Sequence, residues 1–151
     1  MLFRSVENSK EWIENLGVGK PYEESIDTRL EDFILATIYE KLNEQDKANE
    51  YYLKISAQTR VRRFSSSELL NALTLRKLNR KQEADKIAEN WLARNPDNKI
   101  AQWCTAIYNG DEAKASGLIT ERYSVEESTP WEAVSNDYNF NIIAELFKAI
   151  K

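Results

Sequence analysis

The chain has 151 residues, with 25 acidic and 21 basic side chains, a single cysteine and no histidine. One cysteine cannot form an intramolecular disulfide, and the cysteine and histidine clusters of zinc sites are excluded. The apolar share of 42% and the charged share of 30% are typical of a globular chain, and the length fits one domain over residues 1–151.

Apolar residues recur with helical spacing along most of the chain, and this pattern predicts an all-α fold of about eight helices. A first clear helix follows Thr28, which forms a capping-box pattern with Glu31, and the helix ends at Asn43. A second helix begins near Gln45. No alternating pattern flanks a hairpin dipeptide, so no strand is predicted.

The same arrangement recurs further along the chain. Another capping-box pattern, Ser65 to Glu68, opens a helix that breaks at Asn79, and the next helix stops before Pro96. A fainter pair breaks at Gly110. The C-terminal segment, about residues 130–150, is predicted to be one helix or two.

A sequence repeat with a spacing of 36 residues links the first two helix pairs. Ala36 aligns with Ala72, and Ala48 aligns with Ala84. In length and in these small residues the units resemble tetratricopeptide repeats, which are helix–turn–helix units of about 34 residues. The resemblance implies an α-solenoid of antiparallel helix pairs, with clear repeats at 29–60 and 65–96, a degenerate repeat at 99–123 and a C-terminal cap at 130–150.

The resemblance also implies a concave groove, because positions 5 and 9 of such repeats face inward. We expect these positions to be occupied by Phe33, Thr37, Leu69, Leu73, Trp103 and Ile107. Either an apolar segment of a partner or the C-terminal helices of the chain would fill this groove. Large apolar residues near the C-terminus, which must be buried somewhere, favour the second interpretation; they include Trp131, Phe140, Leu146, Phe147 and Ile150.

Charge is unevenly distributed, since residues 54–86 carry nine basic and three acidic groups. This block predicts a basic patch for an acidic partner, and its alternative is an ordinary solvated face. The candidate residues are Arg60, Arg62, Arg63, Arg76, Lys77, Arg80 and Lys81. Nucleic acid is not an expected partner, because the whole chain is acidic and lacks aromatic-interleaved basic runs.

The sequence offers few candidates for catalytic residues. Cys104 has no histidine to act as its base, and Gly17 to Lys20 lacks the spacing of a phosphate-binding loop. We therefore expect no catalytic, cofactor-binding or metal-binding residues and no cofactor.

The predicted function is a non-enzymatic interaction scaffold for a protein or peptide partner. As the alternative, residues 14–21 and 39–42 resemble the C-terminal repeat region of large bacterial proteins with mutarotase-like β-sandwich domains. That resemblance implies an accessory helical domain of a carbohydrate-related enzyme, whose own neighbouring domain would be the partner. With no signal peptide or apolar run long enough for a membrane, a cytoplasmic location is expected unless the chain is a fragment.

Overall fold

The computed structural model describes residues 27–58, 65–94, 96–124, 137 and 139–150, and in these ranges every regular element is an α-helix. The all-α prediction is therefore confirmed for this part of the chain. The helices are α1 (Arg29–Lys41), α2 (Gln45–Ala57), α3 (Ser67–Lys77), α4 (Lys81–Arg94), α5 (Lys99–Tyr108), α6 (Glu112–Ser124) and α7 (Phe140–Ala149). The first part of the predicted C-terminal segment, residues 130–136, lies outside the described residues.

The chain divides into two compact units, residues 1–60 and residues 61–151. In the first unit α1 packs against α2. In the second unit α3 packs against α4 and α5 against α6, while α5 also contacts α3 and α4. No described helix has both the length and the apolar composition that crossing a bilayer requires.

Three turns of three residues each join α1 to α2, α3 to α4 and α5 to α6, and all three have the same geometry. Each turn contains one residue with positive φ: Asn43 at 60°, Asn79 at 61° and Gly110 at 73°. Asparagine and glycine tolerate this left-handed conformation better than other residues. The six-residue hydrogen bonds that close the turns join Glu44 to Tyr39 (2.9 Å), Arg80 to Leu75 (2.8 Å) and Asp111 to Ala106 (2.8 Å). Each turn is thus a Schellman motif, and the predicted breaks at these three positions are confirmed.

A buried alanine follows each turn at the same distance, five residues after the residue with positive φ. These alanines are Ala48, Ala84 and Ala115, with exposed fractions of 0%, 0% and 4%. Helices pack 8–10 Å apart, and small side chains at the contact permit the shorter distances. The three helix pairs therefore share both a turn and a small residue on the buried face of the second helix.

The two predicted capping boxes do not form. The Thr28 hydroxyl donates to Oδ2 of Asp32 at 2.8 Å instead of capping α1. Ser66, the residue before α3, makes no side-chain cap either, and the carboxylate of Glu68 accepts a hydrogen bond from Nε1 of Trp91 at 3.1 Å. In both cases a side chain of the predicted capping box forms its hydrogen bond with a residue outside the box.

Within the first unit, α1 and α2 are joined along their length. Near the turn the rings of Tyr39 and Tyr51 stack with centroids 5.6 Å apart. At the open end the Thr28 amide donates to Oε1 of Gln58 at 3.2 Å, and Nε2 of Gln58 donates to the Thr28 hydroxyl at 2.7 Å. The pair is therefore closed at both ends by its own residues.

Candidate functional site

The predicted groove residues have a regular pattern of burial that follows their repeat position. All three residues at position 5 are buried, with exposed fractions of 5%, 0% and 2% for Phe33, Leu69 and Trp103. All three residues at position 9 are half-buried, namely Thr37, Leu73 and Ile107. Position 5 therefore contributes to the core, while position 9 keeps access to the surface.

In the first unit, the groove candidates contact their own helix pair. The ring of Phe33 lies edge-on to Tyr52 with centroids 6.3 Å apart. The Thr37 hydroxyl donates to the carbonyl oxygen of Phe33 at 2.8 Å. The ring contact joins α1 to α2, whereas the hydrogen bond of Thr37 lies within α1.

In the second unit, Trp103 of α5 lies against the C-terminal helix. Its ring is edge-on to Phe140 at 5.1 Å between centroids and to Phe147 at 6.2 Å, both on α7. Ile107 is one turn further along α5. The C-terminal helix thus covers at least one of the predicted groove residues.

The face of α7 that points inward has helical spacing. Phe140, Ile143 and Ala144 are buried, with exposed fractions of 1%, 0% and 6%, and Phe147 is half-buried. These residues stand at positions i, i+3, i+4 and i+7, which form one side of an α-helix. The opposite side of α7 carries exposed residues, including Ile142 and Glu145, while Lys148 at its edge forms an ion pair with Glu145.

A cavity of about 260 Å³ lies between α5, α6 and α7. Its lining is mainly apolar, with three polar side chains from α6 and α7. The lining residues are Trp103, Ile107, Glu112, Ala115, Ser116, Ile119, Ala144, Phe147 and Lys148. Small side chains on both α6 and α7 face this space, so α7 does not fill the groove that it occupies.

Asp137, just before α7, connects this helix to the beginning of α3. Its carboxylate accepts hydrogen bonds from the Ser66 amide at 2.5 Å and from the Ser66 hydroxyl at 2.7 Å. It also accepts from the backbone amides of Asn139 and Phe140 at the start of α7. Burial raises the pKa of Asp137, although these hydrogen bonds act in the opposite direction. The carboxylate of Asp137 therefore accepts hydrogen bonds at the amino-terminal ends of both α3 and α7.

Cys104 is fully buried in α5. Burial raises the pKa of its thiol well above the ordinary value, and the charges of Asp137 and Glu68 act in the same direction. A protonated, enclosed thiol is a poor nucleophile and a poor metal ligand. Within the described residues no cluster of three or more cysteine, aspartate or glutamate side chains could hold a metal ion.

The basic candidates are only partly described, since Arg60, Arg62 and Arg63 lie outside the described residues. Arg80 makes two hydrogen bonds of 2.7 Å to the carboxylate of Glu83. Lys81 forms an ion pair with Asp85 at 2.5 Å. Part of the positive charge that the sequence indicates is therefore matched locally by acidic side chains of α4.

Arg76 and Tyr108 connect the basic segment to α5. The Arg76 guanidinium lies 5.1 Å from the centroid of the Tyr108 ring and donates to its carbonyl oxygen at 2.9 Å. The Tyr108 hydroxyl donates to Asp85 at 2.6 Å. Burial, together with that carboxylate, raises the pKa of Tyr108 to about 12. Arg76 thus helps to hold helices together, a role that its position in a basic run does not indicate.

Comparison of the chain with protein-family models, curated proteins and solved structures found no match. The functional argument therefore rests on the site itself.

Proposed function

We propose that the chain is a non-enzymatic protein–protein interaction module of the tetratricopeptide type, an α-solenoid of stacked antiparallel helix pairs. The observation that carries this proposal is the threefold recurrence of a Schellman turn followed five residues later by a buried alanine. This recurrence supports a repeat array, because such arrays are built from recurring helix pairs and present extended binding surfaces.

The burial of the groove candidates supports the same proposal. Residues at position 9 of the repeats are half-buried in all three helix pairs, and two of them, Leu73 and Ile107, are apolar. Half-exposed apolar side chains on rigid helices are suited to contact an apolar segment of a protein or peptide.

The non-enzymatic part of the proposal follows from the available chemistry. The sequence contains no histidine, and its only thiol is enclosed and protonated. A protonated thiol is not an activated nucleophile, and histidine, the residue that most often acts as the base in an active site, is absent. The basic residues give weaker support to a binding site, because Arg80 and Lys81 already have carboxylate partners.

The test is affinity capture from an extract of the source cell with the full chain, followed by calorimetry on each purified captured protein. Leu73→Gln alters a half-buried groove candidate, and Leu53→Gln makes the same change at a residue that is 58% exposed on α2. We expect Leu73→Gln to weaken binding at least about tenfold and Leu53→Gln to leave it unchanged.

Melting curves of both variants control for folding. Capture of no protein above a charge-matched helical control would contradict the proposed function, and so would equal losses in the two variants. A third variant with Arg80→Glu and Lys81→Glu decides the site, since a loss confined to it would place binding on the basic residues.

A further inference from the structure

We infer that the groove formed by α5 and α6 binds amphipathic helices, and that α7 is an internal ligand which a helix of a partner protein replaces. This inference rests on the proposed function and names the partner chemistry of that function. It follows from the contacts of α7 with Trp103, from the cleft beside this helix and from the hydrogen bonds of Asp137 at its beginning.

The buried face of α7 has the spacing of a helix bound in a groove. Such ligands anchor through residues at i, i+3, i+4 and i+7. Phe140, Ile143, Ala144 and Phe147 occupy these positions, and both phenylalanines contact Trp103. A ten-residue helix has little stability of its own in water, so docking in this groove is what stabilises α7.

The cleft beside α7 leaves room for a larger side chain than α7 supplies. Its volume, about 260 Å³, is below the range of about 300–1,000 Å³ that is usual for small-molecule sites. A bulkier side chain on a docked helix would reach into this space, because Ala144 of α7 and Ala115 of α6 both line it. Such a side chain would bury apolar surface that α7 leaves open to solvent.

The attachment of Asp137 further defines the partner. Asp137 precedes Phe140 by three residues, accepts from the backbone amides at the start of α7 and accepts two hydrogen bonds from Ser66. A helix that replaces α7 needs a carboxylate at the same place, since the Ser66 amide would otherwise lose its partner. At the other end, Lys148 and Glu112 line the same cavity, which favours a basic residue in that position of the incoming helix.

These features describe one class of partner, an amphipathic helix that is preceded by an acidic residue. After the acidic residue it carries Phe at the third position, Ile at the sixth, a bulky aliphatic residue at the seventh and Phe at the tenth. It differs from α7 chiefly where α7 has Ala144.

The test uses a fluorescein-labelled synthetic peptide with the sequence of residues 137–150 and the change Ala144→Leu. The full chain is titrated against this peptide, and binding is followed by fluorescence anisotropy. The internal helix competes with the peptide, so the apparent affinity of the wild-type chain is the intrinsic affinity multiplied by the fraction of molecules in which α7 is undocked.

Two variants of the full chain move this competition in opposite directions. Phe140→Ala removes an anchor of the internal helix and should tighten peptide binding at least about tenfold, whereas Ala144→Leu fills the cavity from within and should weaken it to a similar extent. Ile142→Ala, on the side of α7 that is 54% exposed, is the matched control and should change nothing. If melting curves show that Phe140→Ala does not fold, Ala144→Leu decides the result.

Equal peptide affinity in Phe140→Ala, Ala144→Leu and the wild-type chain would overturn the inference, and so would binding of a peptide that lacks both phenylalanines. Exchange of α7 between two copies of the chain, seen as a peptide-resistant dimer in sedimentation, would also overturn it. Failure here is distinct from failure of the proposed function, because the peptide is measured apart from the captured proteins. A captured protein that binds normally to Ala144→Leu would leave the module intact and refute only the exchange of α7.

Discussion

The pairs α1–α2 and α5–α6 share the same turn and the same buried alanine, but they complete their packing differently. The first pair is closed by its own residues, through the stacked rings of Tyr39 and Tyr51 and the paired hydrogen bonds between Thr28 and Gln58. The other pair leaves a groove at Trp103, and α7 covers this groove only in part.

The difference shows that a shared local geometry does not decide how a helix pair completes its packing. A turn fixes how two helices diverge, whereas the side chains beyond the turn determine whether the pair buries its common surface itself. Under the exchange of α7 proposed above, α5–α6 can accept a partner's helix, whereas α1–α2 buries its own surface and is not expected to do so.

The largest expected contrast concerns the aromatic contacts of the two pairs. Trp103→Ala should lower the free energy of unfolding by about 3–5 kcal/mol, because it removes a buried ring that contacts two phenylalanines. Tyr51→Ala should cost only about 1 kcal/mol, because that ring is half-buried in a single stack. Urea unfolding followed by circular dichroism measures both values, and similar losses would show that the two contacts do not differ as described.

The second largest difference between the helix pairs is expected when the buried alanine after each turn is replaced by a larger residue. Ala48→Leu and Ala84→Leu should each cost about 1–3 kcal/mol, because both sites are completely enclosed. Ala115→Leu should cost less than about 1 kcal/mol, since Ala115 lines a cavity that can take part of the added volume. Denaturation midpoints test this order, which a larger loss for Ala115→Leu than for Ala48→Leu would contradict.

Two glycines of the third helix pair allow a smaller and matched test. Gly110 has a φ of 73°, and a Cβ at this residue would meet nothing within 4 Å, so Gly110→Ala should lower stability by about 1 kcal/mol through backbone strain alone. Gly117 lies inside α6 with equally open surroundings, so Gly117→Ala should raise stability by about 0.5–1 kcal/mol. Thermal unfolding of the two variants would refute this account if both changes had the same sign.

The smallest expected effect is a pH dependence that belongs to Asp137. Because burial raises the pKa of this carboxyl in the folded chain, its contribution to stability is complete below the ordinary pKa of aspartate. That contribution is lost as the pH rises through the raised pKa.

Asp137→Asn should therefore remove one component of the decline in urea midpoint between about pH 4 and pH 7. Asp97→Asn, at an exposed residue, is the control and should leave the decline intact. An unchanged pH profile in Asp137→Asn would show that Asp137 does not cause the decline.

Much of the fold follows from local sequence signals. The helices and their breaks at Asn43, Asn79 and Gly110 were predictable because apolar spacing and left-handed residues act within a few positions. The groove positions of Trp103 and Ile107 came instead from the resemblance to tetratricopeptide repeats and stay a prediction, although Trp103 does lie against the C-terminal helix.

The long-range hydrogen bonds around the candidate site could not be predicted from local sequence signals. Ser66 has the sequence context of a capping residue, yet it bonds to Asp137, which is 71 positions away in the chain. Glu68 likewise accepts from Trp91 instead of capping α3. Local motifs compete with partners that only the tertiary structure supplies, and no pattern within one helix shows which will win.

The position of Asp137 also determines the order in which the molecule can assemble. The three turns close over six residues each and need no distant partner, so they can form as soon as their own helices have been synthesised. The hydrogen bonds to Ser66 join residues 71 positions apart and cannot form until residue 137 has left the ribosome. From the completion of the third turn until then, Trp103 lacks the cover of α7, so the nascent chain exposes this apolar ring before its last helix can pack against it.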